Sequence, residues 1–335
     1  MADSPLYILR SGKPVKFWYM LKCYLSMLIP NKWYRMNLEP LKRAAAARED
    51  FSYIKERVDY YCKTFPTRCL PDGDVHEHKG YIYVFLDRWI KFRPKTFHKV
   101  YFFDLNEVMR HFSTDKRVSY IPGDVYFTPD IPTIVKSRLL SGDNSNSVLL
   151  KLNKHRHFIF VSDPLQFSDK MPRAIFRGRI RRSRQRERFM QMYCGSEICD
   201  CGIVGANPQY PKEWIKPKKT IRQHLDYQYV IALEGNDVAS NLKWVMSSNS
   251  IAVMTRPTCE SWFMEGKLIP NYHYIEIKDN LSDLEERLHY YSSHPLEAQA
   301  IIDHAHEFVN QFLDIKRERL IELLVSEKYF RQTGQ

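Results

Sequence analysis

No apolar run in the first forty residues is long enough to cross a bilayer. The longest uncharged stretch there, Cys23 to Asn31, falls far short of the ~20 residues that a spanning helix needs. Met1 to Leu9 lacks a basic start and a long apolar core, so no secretory signal is expected. Seven cysteines, an odd number, do not form the short framework of a small secreted domain, which points to reduced thiols and a cytoplasmic location. Cys194, Cys199 and Cys201, with His224 beyond them, do not show the paired C-x2–4-C spacing of zinc sites, so no metal site is expected there. His294, His304 and His306 face no carboxylates or cysteines in sequence and read as surface residues. Acidic residues are missing between Asp3 and Glu39.

That acid-free stretch holds a pattern of its own. Phe17, Met20, Leu21, Tyr24, Leu25 and Leu28 repeat at helical spacing. Lys13, Lys16, Lys22, Lys32 and Arg35 surround them, together with Trp18, Tyr19, Trp33 and Tyr34. A helix over 13–35 is expected, either lying on an anionic membrane surface or packed on its own domain. The net charge of +12 likewise suggests a polyanionic partner: nucleic acid, an anionic membrane or a phosphorylated substrate. With 44% hydrophobic residues, the chain is globular and large enough for two cores.

Leu38 to Cys62 reads as helix. Tyr81 to Leu86, Val100 to Phe103, Val148 to Leu152 and Phe158 to Val161 read as strands of an α/β first lobe. Asp72-Gly73-Asp74 is a loop whose carboxylates could hold a divalent cation and a nucleotide-sugar diphosphate; Pro71-Asp72-Gly73 is also an ordinary turn. Two prolines hold Asp130 in the stiff loop Thr128-Pro129-Asp130-Ile131-Pro132. Arg173 to Arg188 contains eight arginines against one acid, Glu187. Ala174-Ile175-Phe176 reads as a strand entering Arg177-Gly178-Arg179. The glycine there lets backbone approach a ligand, and guanidinium groups fork onto phosphate oxygens. Arg181 to Arg188 read as a solvated helix face, or as a contact for acceptor or lipid phosphates.

The chain is most informative from Gln228 to Ile277. Tyr229 to Leu233 is a short apolar strand, Glu234-Gly235-Asn236-Asp237 a polar turn, Val238 to Met246 a helix, and Ser250 to Met254 a second strand. Strand, turn, helix and strand make a βαβ unit and imply a parallel sheet. Ligands of such sheets bind beyond the carboxyl ends of the strands, where the Glu234–Asp237 turn lies. A helix starting at Asn236–Asp237 would turn free N–H groups to an anion, with Lys243 in the same helix. Ser282 and Glu285 read as a capping box, followed by helices over Pro295 to Phe312 and Ile315 to Phe330.

Phe176-Arg177-Gly178, Tyr229 to Lys243, Trp262-Phe263 and His273-Tyr274 together resemble the protein O-glucosyltransferase type of glycosyltransferases, family 90, and among them the bacterial lipopolysaccharide-modifying members. The resemblance covers roughly residues 115–315. It implies two Rossmann-like lobes facing across a cleft, the GT-B architecture. The segments would be an amino-terminal acceptor lobe over 1–165, a nucleotide-sugar lobe over 166–312, and a helix over 313–335 crossing back to the first lobe. It implies an inverting transfer of a sugar, glucose or similar, from a UDP-sugar to a lipopolysaccharide or related glycan acceptor, at the inner face of the inner membrane, with neither metal nor cofactor. Asp130 then falls to the catalytic base, and Arg177, Gly178, Arg179, Gly235, Asn236, Asp237 and Lys243 to the donor's diphosphate. Glu260 and Glu265 would accept hydrogen bonds from donor hydroxyls. Eukaryotic members carry an arginine where this chain has Asn241. Two other readings remain: a nucleic-acid-binding protein using the Arg173–Arg188 run, and a metal-dependent GT-A transferase using Asp72 and Asp74.

Overall fold

A computed structural model describes residues 13, 15–64, 70, 76–78, 81–85, 99–181, 183–205 and 208–335, with backbone only for 76–78 and 81–85. Asp72, Gly73, Asp74 and Arg182 lie outside the described residues. The chain divides into two compact units. The first comprises Lys16–His155, Cys259–Phe263 and Phe312–Gln335; the second is built mainly from Arg156–Thr258 and Met264–Gln311.

The first unit opens with four helices: α1 (Lys16–Met27), α2 (Asn31–Met36), α3 (Leu38–Ala46) and α4 (Phe51–Tyr61). The expected helix over Leu38 to Cys62 is therefore two, broken between Ala47 and Asp50. Strands β1 (His76–His78) and β2 (Tyr81–Phe85) precede α5 (Lys99–Met109). The run Val100 to Phe103, expected as a strand, lies inside α5. Nine of the eleven residues of that helix are buried, and a helix buried all round has the same unbroken apolar run as a buried strand. Then come β3 (Arg117–Tyr120), β4 (Thr133–Val135), β5 (Ser137–Leu139) and β6 (Ser147–Leu149). The sheet order is β1-β2-β3-β4-β6. β1, β2 and β3 pair antiparallel, whereas β3, β4 and β6 are parallel. This sheet is mixed: parallel from β3 through β4 to β6, with antiparallel strands β1 and β2 along one edge. Phe158 to Val161, expected as a strand, joins no sheet.

The second unit contains β7 (Met171–Gly178), α6 (Arg184–Tyr193), β8 (Cys199–Ile203), β9 (Tyr227–Ile231), α7 (Leu242–Met246) and β10 (Ile251–Met254). The chain leaves it for β11 (Cys259–Ser261), which pairs antiparallel with β5 in the first unit. It comes back through β12 (Ile275–Glu276), α8 (Leu284–Ser293) and α9 (Pro295–Asn310), and ends in the first unit as α10 (Ile315–Gln332). The second unit's sheet, β12-β10-β9-β7-β8, is parallel throughout. Every residue of β9 and β10 is buried, as expected of strands covered on both faces. Phe176, Phe189, Tyr229, Ile231, Val253, Ile275 and Ile301 belong to its core. The capping box does not form. α8 starts at Leu284 behind Asp283, and Ser282 Oγ donates instead to Asn280 Oδ1 at 2.9 Å.

Candidate functional site

Counted within the second unit, the strands stand in the spatial order 2-1-3-4-5. The order reverses direction between β7 and β9. Connections leave those two strands toward opposite faces, which opens a crevice at their carboxyl ends. Gly178 ends β7 there and Arg179 follows it, while the Glu234–Asp237 turn follows β9.

The first turn of α6 crosses this edge. Ser183 caps the helix, its Oγ accepting from Arg186 N at 3.3 Å and donating to Glu234 O at 3.0 Å. Arg186 donates from Nη1 to Arg179 O at 2.9 Å and from Nη2 to Leu233 O at 2.7 Å. Its guanidinium therefore joins the ends of β7 and β9. Gln185 Nε2 reaches Thr255 Oγ1 at 2.9 Å, just beyond β10. Gly235 has a steric reason as well. A Cβ there would lie 3.3 Å from three atoms of the Arg186 guanidinium, tighter than ordinary contact. Arg186 was missed in the sequence because the run around it reads as a solvated face. The available signal was Ser183, an N-cap residue just ahead of the arginine-rich helix.

Among the expected donor residues, Arg177 is held back from the edge. Its Nη1 donates to Asp200 O and its Nη2 to Asp200 Oδ1, both at 2.7 Å. Burial pushes the Asp200 carboxyl up, but hydrogen bonds from Tyr227 and Arg177 outweigh it and hold the group at about 2. Gly178 ends β7, where a Cβ would strike the Phe176 ring at 2.8 Å. Arg179 is exposed, and among the described residues its guanidinium has no partner. Gly235 N donates to Asp237 O at 2.9 Å in a tight turn. The expected helix start at Asn236–Asp237 does not form. α7 begins only at Leu242 and is five residues long. Val238 and Ala239 are buried in irregular chain before it, and Asn241 Nδ2 ties that chain to Ile231 O at 3.0 Å.

Lys243 is fully buried, and its ammonium donates to Glu265 Oε1. Glu260 lies on β11 opposite Arg138 of β5, accepts from Arg138 Nε at 2.7 Å and also from the Tyr60 hydroxyl. Both carboxylates are thus engaged in sealed ion pairs, whose loss would strand a buried charge. Trp262 stacks on Tyr61 at 3.9 Å and donates to Glu318 Oε2 at 2.6 Å. His273 Nδ1 accepts from Ile269 N at 2.9 Å. These residues of the family pattern hold the fold. The histidines expected at the surface differ: His294 is exposed, whereas His304 stacks on Tyr272 and His306 meets Ser248 O at 2.9 Å.

Along the same carboxyl edge, beside β10 and β12, lies a cleft of about 550 Å³. Arg256, Lys278 and Arg287 line it together with Glu276, Asp279 and Asp283. No sequence signal singled out these cations, which are scattered over 32 positions.

In the first unit, Asp130 is exposed in a loop pinned on either side. Asn146 Nδ2 donates to Pro129 O at 3.0 Å, and the Tyr329 hydroxyl to Pro132 O at 3.3 Å. The loop precedes β4, so Asp130 stands at the amino end of that strand. At the carboxyl end, buried Lys136 donates to Asp124 Oδ1 at 2.8 Å.

A family model described as glycosyl transferase family 90 matches residues 153–320. The chain is 34% identical over 321 residues to "O-glucosyltransferase LpsA" of Dichelobacter nodosus, covering 93% of this chain and 96% of that one. It is 27% identical over 165 residues to "Protein O-glucosyltransferase 3" of Homo sapiens, which covers 48% of this chain and 32% of the human protein. The protein of the same description from Rattus norvegicus is 28% identical over 137 residues, 40% of this chain and 27% of its own.

Proposed function

The chain belongs to glycosyl transferase family 90 and is a glycosyltransferase; from that premise we propose that it moves glucose, or a similar sugar, from a UDP-sugar to a hydroxyl of a lipopolysaccharide core or related surface glycan. The observation that carries the donor assignment is the switch point of the parallel sheet. It lies within the segment matched to the family, and Arg179, Arg186 and the Gly235–Asp237 turn meet there. An anion bound at this edge would meet one exposed guanidinium, and a second already oriented by two carbonyls. Both could neutralise a departing diphosphate without a metal ion. Arg177 acts by fixing the end of β7 through Asp200. Lys243, Glu260 and Glu265 enter through the loops that their ion pairs hold.

The reaction is inverting in this proposal. A carboxylate takes the acceptor hydroxyl proton as that oxygen attacks the anomeric carbon, and UDP leaves from the opposite side. Asp130 is the base of this reading, in a two-lobed enzyme of the GT-B type. A specific observation favours Asp124 as a rival, since carboxyl ends of parallel strands are where such sheets present their chemistry. The enzyme would work peripherally on the inner face of the inner membrane, where a lipid-linked acceptor is made.

The test is thermal stabilisation by a panel of nucleotide sugars in EDTA, followed by transfer assays with the donor it identifies. Stabilisation by UDP and one UDP-sugar, lost in Arg179→Ala and Arg186→Ala, is the expected result. Asp130→Asn should then abolish transfer while leaving donor stabilisation intact. If Asp124→Asn does so instead, Asp124 is the base. A shift that requires a divalent cation would overturn metal independence, and no shift with any nucleotide would overturn the donor site.

A further inference from the structure

Helices in globular proteins draw most of their stability from a buried face. α1 and α2 depart from this, for no residue of either helix is buried. What holds them to α5 and the turn after it is mostly polar. The Tyr19 hydroxyl donates to Asp104 Oδ1 at 2.6 Å, and Arg110 donates to Ser26 O at 2.8 Å and Asn31 Oδ1 at 3.1 Å. The Tyr24 ring meets Phe103 edge-on at 5.0 Å.

The remaining side is apolar and open. Eight of the eighteen exposed large hydrophobic side chains among the described residues fall between Phe17 and Met36, so the exposure is concentrated and not the usual scatter. Phe17, Trp18, Leu25, Leu28, Trp33 and Met36 are each more than half exposed, Leu28 at 78%. The expected stripe is therefore divided. Met20 and Leu21 turn partly inward, while Trp18 and Trp33 join the outer side.

Charge identifies what covers this side. Lys16, Lys22 and Lys32 are exposed around it and Arg35 is half-buried, with no carboxylate between Asp3 and Glu39. An apolar surface with two tryptophans, whose own charged side chains are all cationic, matches a layer that is anionic outside and hydrocarbon within. The Glu107 carboxylate of α5, near Lys22, is already paired with Lys154. At twelve and six residues, neither helix can cross such a layer. We infer that α1 and α2 form an in-plane docking surface for an anionic lipid bilayer, with Trp18, Leu28 and Trp33 entering the headgroup boundary. This deepens the peripheral placement proposed above and rests on it for its biological meaning. Its physical basis is independent.

The test is co-sedimentation of the full chain with vesicles of phosphatidylcholine alone and of phosphatidylcholine with phosphatidylglycerol. Binding to the anionic vesicles, weakening as salt rises, is expected, with a blue shift of tryptophan emission. Leu28→Ser/Trp33→Ser and Lys22→Glu/Lys32→Glu should each lower partitioning by about tenfold or more. Their melting temperature and their transfer to a soluble acceptor should stay unchanged. Equal binding to neutral vesicles, no binding to either, or variants that bind like the wild type would overturn the inference. So would a lipid-free dimer abolished by Leu28→Ser/Trp33→Ser, because a second copy would then cover the face. Vesicle binding is read without turnover. A protein that binds vesicles but transfers no sugar supports the docking surface and counts against the proposed function alone.

Discussion

Lys154 in the first unit carries more carboxylates than one ammonium can balance. Its Nζ meets Glu107 and Glu322, each at 3.1 Å, and its backbone N–H donates to Asp104 Oδ2 at 3.0 Å. Burial pushes the Glu322 carboxyl up to about 7 against the pull of Lys154, and pushes Asp104 up to about 6. A carboxyl raised on folding holds a proton that the unfolded chain has already released. Its contribution is therefore complete below the ordinary carboxyl range, near pH 4, and is lost as pH rises toward 7. Asp200, held at about 2, works the other way, contributing above pH 4 and losing that contribution as pH falls toward 2. Glu322→Gln keeps the shape of the neutral acid. We expect it to remove on the order of 3 kcal/mol of pH-dependent stability change between pH 4.5 and 7. Chemical denaturation of both proteins at pH 5, 6, 7 and 8 checks this; an unchanged slope in the variant would assign the titration elsewhere.

At the scale of elements, legibility followed burial. β9 and β10 could be read from the chain because strands covered on both faces are continuous apolar runs, with a Gly-containing polar turn marking where the first one ends. α5 was misread for the same reason: Val100-Tyr101-Phe102-Phe103 is equally continuous, and only length separates a buried helix from a buried strand. The start of α7 was misplaced because Asn236-Asp237 looks like a cap. The chain instead spends those residues on a Gly235–Asp237 turn and a side-chain tether from Asn241. Helix ends held by distant partners leave no local trace at all. Arg110 satisfies the carbonyls of Ser26 and Ile29 at the end of α1 from 81 or more residues away and lies 3.7 Å from the centre of the Tyr34 ring. Orphan carbonyls at a helix end need such a donor, and bonds to a charged group contribute about 1.5–3 kcal/mol. We expect Arg110→Ala to loosen residues 16–36 selectively. Amide exchange there should rise at least tenfold while α4 and β9 stay protected. Equal protection in both proteins would mean that the α1–α2 segment is held by its other contacts.

At the scale of the molecule, neither unit is a continuous piece of chain. The first takes β11 from the middle of the sequence and α10 from its end. A three-residue strand such as β11 has no periodicity to detect, so this interleaving was not legible locally. The contribution of α10 is specific. Glu318 accepts from the Trp262 indole and the Arg57 guanidinium and pairs with Lys151 at 3.4 Å, while Ile321, Val325 and Tyr329 are fully buried. Removing α10 strands buried Arg57 without its countercharge, a loss of about 3–5 kcal/mol before any apolar area is counted. That is a large part of a domain's whole stability. The second unit keeps its five strands and its core in such a truncation, because none of the core side chains named for it comes from beyond residue 311. A chain ending at Gln311 should therefore unfold in one unit and not in the other. Limited proteolysis should leave a resistant piece beginning near residue 156, and amide exchange should show β7 and β9 protected but α4 and β3 open. Protection of α4 in that chain would show that the first unit closes its core without Glu318, and that Arg57 finds its countercharge elsewhere.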